Sequence, residues 1–137
     1  MIATEIIHLL ESEGYEIQIR NGRLVVPQGK AINPSLVAMI KDYKVEITSI
    51  LNRDEELQGI GFCIGLYGSL YLKSTSENSF IFMEFMGGYW ELRRETFVKS
   101  NSTAVNLKVL SSGCYSTVFN RAKGYLDYLK NRKRETR

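Results

Sequence analysis

The apolar residues of this chain change their spacing near residue 58. Before that point they recur at intervals of three and four; after it they fall in short runs and alternations punctuated by glycines. Helical spacing followed by strand spacing segregates helices and strands along the sequence, which predicts an α+β fold. Charge changes at the same place. Residues 1–58 hold nine acidic and six basic side chains, a net −3, whereas residues 59–137 hold six acidic and twelve basic ones, a net +6. A coincident change of period and charge predicts two units, 1–52 and 59–137, with 53–58 as a linker or a helix extension.

Within the first unit, Ile2, Ile6 and Leu9, flanked by Ala3, Ile7 and Leu10, predict a helix over about residues 4–13 that Gly14 stops. Ile17 and Ile19 then alternate with polar residues up to Asn21-Gly22. That dipeptide is the strongest short hairpin signal, because a type I′ turn needs positive φ at both central residues. Leu24, Val25 and Val26 form the return strand, and Pro27 ends it. Asn33-Pro34 predicts a helix start, with Asn33 as cap and Pro34 in the first turn. Leu36, Val37, Ile40, Tyr43, Ile47, Ile50 and Leu51 continue at helical spacing, as one long helix or two short ones broken near Asp42.

This order, carried by EIIHLLESEGYEIQIRNGRLVV and then INPSLVAMIKDYKVEITSIL, resembles the TubC-type N-terminal docking domain over roughly residues 1–52. The resemblance implies an αββαα fold, a tendency to form homodimers, and an exposed hairpin that binds a short acidic tail of a partner enzyme. It also implies that Arg20 and Arg23, on either side of Asn21-Gly22, present the positive charge. Exposed arginines beside a turn also occur with no function beyond solvation. Two departures accompany the resemblance. His8 is the sole histidine, so the paired-histidine motif of a following condensation domain is absent, and the C-terminal residues are basic, so no acidic tail for a second copy is expected.

In the second half, residues 60–73 predict one bent strand or a hairpin about Gly68. Residues 80–86 and 89–94 read as strands joined by Gly87-Gly88. A two-residue loop sets the register: Met86 faces Tyr89, Phe85 faces Trp90, Glu84 faces Glu91 and Met83 faces Leu92. One face then carries Ile81, Met83, Phe85, Trp90 and Leu92, the other Phe82, Glu84, Met86, Tyr89, Glu91 and Arg93. Two carboxylates directly opposite each other are unfavourable by about 0.2–1 kcal/mol. Arg93 or a lysine from another strand neutralises them, or a bulge separates them, or they serve as a metal or acid–base pair. Residues 104–110 fit a short helix or a strand. From about Ser116, Val118, Phe119, Ala122, Tyr125, Leu126 and Leu129 predict a closing helix, weakened by Gly124 and supported by a Lys123–Asp127–Lys130 ladder. The half is expected to be a small antiparallel sheet covered by that helix.

Several function classes find no support. Glu5 and His8 fall where the apolar core of a secretory signal would begin, and the uncharged run 59–72 is too short to span a bilayer. Cys63 and Cys114 form no C-x-x-C pair, and with one histidine they cannot supply the four ligands of a structural zinc site. There is no phosphate loop and no nucleophile elbow. A non-enzyme without metal, cofactor or membrane association is therefore expected, in the cytosol. The leading expectation is a protein-docking adaptor whose contacts are Arg20, Arg23, Phe82, Met86 and Tyr89. An alternative is a nucleic-acid-binding module using Arg121, Lys123, Lys130, Arg132, Lys133 and Arg134. Size and charge also fit a small phage- or plasmid-encoded inhibitor of a host nucleic-acid enzyme, such as an anti-CRISPR protein.

Overall fold

A computed structural model describes residues 3–27, 32–97 and 104–135. In chain order these form α1 (Ala3–Ser12), β1 (Gln18–Arg20), β2 (Arg23–Val25), α2 (Pro34–Asp42), α3 (Lys44–Gly59), β3 (Cys63–Leu66), β4 (Leu70–Ser74), β5 (Ser79–Phe85), β6 (Trp90–Phe97), β7 (Ala104–Gly113) and α4 (Tyr115–Glu135). The architecture is α+β, with a two-stranded and a five-stranded antiparallel sheet. The chain divides into two compact units, Met1–Glu56 and Leu57–Arg137. Residues 53–58 are the last turns of α3.

In the first unit α1 buries Ala3, Ile6, Ile7 and Leu10. The buried stripe is thus turned from the Ile2–Ile6–Leu9 line: Leu9 is only half-buried, and Ile2 lies outside the described residues. The helix ends as a Schellman motif, with Gly14 at φ 86°. The Gly14 amide donates to the Glu11 carbonyl at 3.0 Å and the Tyr15 amide to the Leu10 carbonyl at 2.9 Å. Asn21 and Gly22 take φ 53° and 75°, the type I′ signs, and pair Arg20 with Arg23, Ile19 with Leu24 and Gln18 with Val25. Asn33 Oδ1 caps α2 by accepting from the Ser35 amide at 2.9 Å. At Tyr43 the backbone leaves helical geometry (φ −107°, ψ 21°), which breaks the helical run into α2 and α3. Leu36, Ile47 and Ile50 join α1 among the buried apolar residues of this unit.

The second unit is a meander, β3-β4-β5-β6-β7, with every strand paired to its neighbour in sequence. Residues 60–73 resolve into the β3–β4 hairpin, and residues 104–110 into strand β7. The pairing of β5 and β6 follows the register that Gly87-Gly88 dictates, from Phe85 opposite Trp90 through Glu84 opposite Glu91 to Ser79 opposite Thr96. That pairing carries no bulge, whereas β6–β7 shifts register twice, at Leu92/Arg93 and at Thr96/Phe97. One sheet face packs Tyr71, Ile81, Met83, Trp90 and Leu92 against Val118 and Ala122 of α4, with Leu57 and Phe62 in the same cluster. Full burial of side chains such as Tyr71, Met83 and Leu92 contributes about 1.5–3 kcal/mol each. Trp90 ties the layers together, with its ring centroid 6.4 Å from Tyr71 and 5.4 Å from Tyr115 of α4. Among the described residues no helix is long and apolar enough to cross a membrane.

Two glycine substitutions should move stability in opposite directions. Gly124 lies inside α4 with nothing within 4 Å of an added Cβ. Gly124→Ala should therefore raise the unfolding free energy by up to about 1 kcal/mol in urea titration. Gly22 has equally open space but sits at φ 75°, so Gly22→Ala should lower it by about 1 kcal/mol.

Candidate functional site

The first unit presents an apolar groove of about 400 Å³ lined by residues of β2, by Val26 and Ile32, and by residues of α2 and the first residue of α3. Leu24, Val26, Ile32, Val37 and Ile40 form its walls, and Arg23, Lys41 and Lys44 add three cations to its lining. No carboxylate lines it among the described residues. The break at Tyr43 lets Lys41, in the last turn of α2, and Lys44, beginning α3, reach the same groove. Arg20 is opposite Arg23 in the ladder, but its Nε donates to Gln18 Oε1 at 3.0 Å along its own strand, and it does not line the groove. Of the two hairpin arginines, the structure thus brings one to the cavity. Lys41 and Lys44 escaped sequence reasoning; their only sequence signal is two lysines three apart across a helix break.

In the second unit the sheet face turned away from α4 holds a charged cluster. Arg93 Nη1 donates to Glu84 at 2.8 Å and to Glu91 at 3.3 Å, and its Nε donates to Glu95 at 2.7 Å. Its guanidinium also lies 5.0 Å from the centroid of the Phe82 ring. Burial by itself would lower the Arg93 pKa, but hydrogen bonds and charge from Glu95 and Glu84 offset it and hold the pKa above its ordinary value. Arg93 therefore bridges the facing Glu84–Glu91 pair and offsets part of its repulsion. Among the described residues no group of three or more His, Cys, Asp and Glu side chains is placed to hold a metal. Phe82 belongs to this face, while Met86 and Tyr89 are exposed beside the Gly87-Gly88 turn at one end of the sheet.

Among the described side chains, the basic residues of α4 do not form one surface. At about 100° per residue, Lys123 and Lys130 share one flank of the helix and Arg121 and Arg132 the opposite flank, with buried Val118 and Ala122 between. Lys123 and Lys130 join Lys73 and Asp127 around a cleft of about 550 Å³. Among the described residues the expected Lys123–Asp127–Lys130 ladder forms no ion pair. The side chains of Lys133 and Arg134 lie outside the described residues.

A further reactive group sits where β7 meets α4. The exposed Cys114 sulfur is 3.5 Å from Ser116 Oγ and 3.1 Å from Thr117 Oγ1. Hydrogen bonds from Ser116 and Thr117, side chain and backbone, favour the thiolate and lower the pKa to about 7.

Two tests follow from these geometries. Arg93→Ala leaves three half-buried carboxylates together and should destabilise the fold by about 2 kcal/mol, measured by urea titration. The loss should shrink when Glu84→Gln and Glu91→Gln are made alongside it. In a Cys63→Ser background, alkylation of Cys114 by iodoacetamide should rise with pH, reach half its maximum near pH 7 and level off above it. Thr117→Ala should move that midpoint upward.

Comparison with protein-family models, with curated proteins and with solved structures finds no match to this chain.

Proposed function

We propose that this chain is a non-catalytic docking adaptor of the cytosol, whose first unit holds a short acidic segment of a partner protein. The observation that carries this reading is the groove walled by Leu24, Val26, Ile32, Val37 and Ile40, with Arg23, Lys41 and Lys44 in its lining. Apolar walls take the alternate side chains of an extended peptide, and the cations take its carboxylates. The αββαα order agrees with the docking-domain resemblance. Two exposed free thiols favour a reducing compartment.

A second reading, an anionic partner such as nucleic acid, is favoured by one observation: Lys73, Lys123 and Lys130 surround a common cleft. It stands behind the first because Arg121 and Arg132 lie on the other flank and the Glu84–Glu91–Glu95 cluster repels phosphate from the open sheet face.

Fluorescence anisotropy on the full chain separates the two. A labelled peptide alternating leucine with aspartate should bind, and its lysine counterpart should not. The triple change Arg23→Glu, Lys41→Glu, Lys44→Glu should weaken acidic-peptide binding by at least about tenfold. Arg20→Glu should matter less, since Arg20 does not line the groove. Unchanged binding by the triple variant at low salt would reject the groove. Tight duplex DNA binding at physiological salt, steeply salt-dependent and lost in Lys123→Glu, Lys130→Glu, would favour the second reading instead.

A further inference from the structure

We propose that the sheet face turned away from α4 is a second docking surface, for a protein whose contacting patch is apolar with a lysine or arginine near its centre. It extends the docking reading to the second unit, and it does not depend on the groove.

An antiparallel sheet covered on one face by a helix ordinarily shows polar residues on the other. Here the pairing register places Leu66, Leu72, Phe80, Phe82, Leu107 and Val109 on that other face. Leu66, Leu107 and Val109 are 59%, 56% and 48% exposed, respectively. The inward positions do not need these residues, because Ile64, Tyr71, Ile81, Met83 and Leu110 already supply the packing against α4. The five strands are about 4.8 Å apart, so the face is roughly 19 Å wide, and its longest strands, β5 to β7, run seven to ten residues.

The polar groups on this face are concentrated at its middle. Among the described residues Glu84, Glu91 and Glu95 meet one guanidinium, that of Arg93, so these four side chains carry a net −2. Each carboxylate meets Arg93 through one oxygen, and the other oxygen is the acceptor that a partner's cation would reach. Arg93 is held in place by those three bonds and by the Phe82 ring, so the acceptors are pre-positioned. A second copy laid face to face would bring −2 against −2, and a nucleic acid would bring phosphates against carboxylates. An apolar protein patch with a central cation matches both the ring and the centre.

The test pans the full chain against a random peptide library displayed on phage and measures the selected peptides by fluorescence anisotropy. Three variants are compared with the parent: Leu107→Lys with Val109→Lys, Glu84→Gln with Glu91→Gln, and the groove triple Arg23→Glu, Lys41→Glu, Lys44→Glu. Circular dichroism and melting temperature check that each is folded; Leu107 and Val109 are exposed, so their change should leave both unaltered. The expected result is a set of peptides combining apolar residues with lysine or arginine. Their affinity should fall by at least about tenfold in each of the two sheet-face variants and stay unchanged in the groove triple. The proposal is overturned by peptides without a cation, by no enrichment, or by affinities indifferent to Leu107→Lys with Val109→Lys. Sedimentation that shows a dimer dissociated by that pair of changes would assign the face to a second copy instead. Acidic peptides sensitive only to the groove triple would sink the sheet-face proposal while sustaining the groove.

Discussion

The second unit depends on one guanidinium. A two-residue turn at Gly87-Gly88 permits one alignment of β5 with β6, and that alignment sets Glu84 directly against Glu91. The pairing is tolerated because Arg93 lies beside both carboxylates and reaches Glu95 as well. The same alignment points Ile81, Met83, Trp90 and Leu92 toward α4, where they make up much of the buried cluster. A slip of one residue would exchange that inward set for phenylalanine and carboxylates. Turn, ion cluster and core are thus three expressions of one register, and Arg93 makes the polar side of that register compatible with the apolar side.

Much of this fold was legible from local chemistry. Asn21-Gly22 specified a turn through the φ signs that it needs, and Asn33-Pro34 specified a helix start through a side-chain cap and a fixed φ. The Gly87-Gly88 register was legible because the side-chain period of a strand is two and leaves no freedom once the loop length is known. Residues 104–110 were not legible. Leu107 and Val109 alternate with Asn106 and Lys108, but both are exposed, so no burial signal distinguishes strand from helix there. β7 is specified by its pairing with β6, a contact between segments far apart in sequence. In α1 the sequence marks one broad stripe, Ile2, Ile6 and Leu9 with Ala3, Ile7 and Leu10 beside them, and the surrounding elements bury Ala3, Ile6, Ile7 and Leu10 of it while leaving Leu9 half-buried.

The candidate sites divide along the same line. Arg20 and Arg23 looked equivalent because they flank a symmetric turn, yet one lines a cavity and the other pairs with its own strand. Lys41 and Lys44 gain their place from a change of direction at Tyr43, which sequence spacing marks only as a break. The basic residues of α4 looked like one patch because charge was counted along the chain; wound into a helix, Lys123 and Lys130 separate from Arg121 and Arg132 onto two flanks. Charge adjacent in sequence and charge adjacent in space are different quantities, and the lysine cleft and the acidic sheet centre arise only in the second.

β7 has a consequence for how this chain fails. It is ten residues long, closes the meander, and among the described residues hydrogen-bonds only to β6. Its outer margin is a row of backbone amides and carbonyls available to any extended chain that comes near. The fold tempers this by local means: Lys108 and Asn106 are exposed along the strand, and two register shifts against β6 disturb its regularity. Those guards act only while the meander is intact. On partial opening of α4, the newly bared inner face and the ready margin would lie on the same sheet, so crowded molecules would add to one another strand by strand before they had fully unravelled.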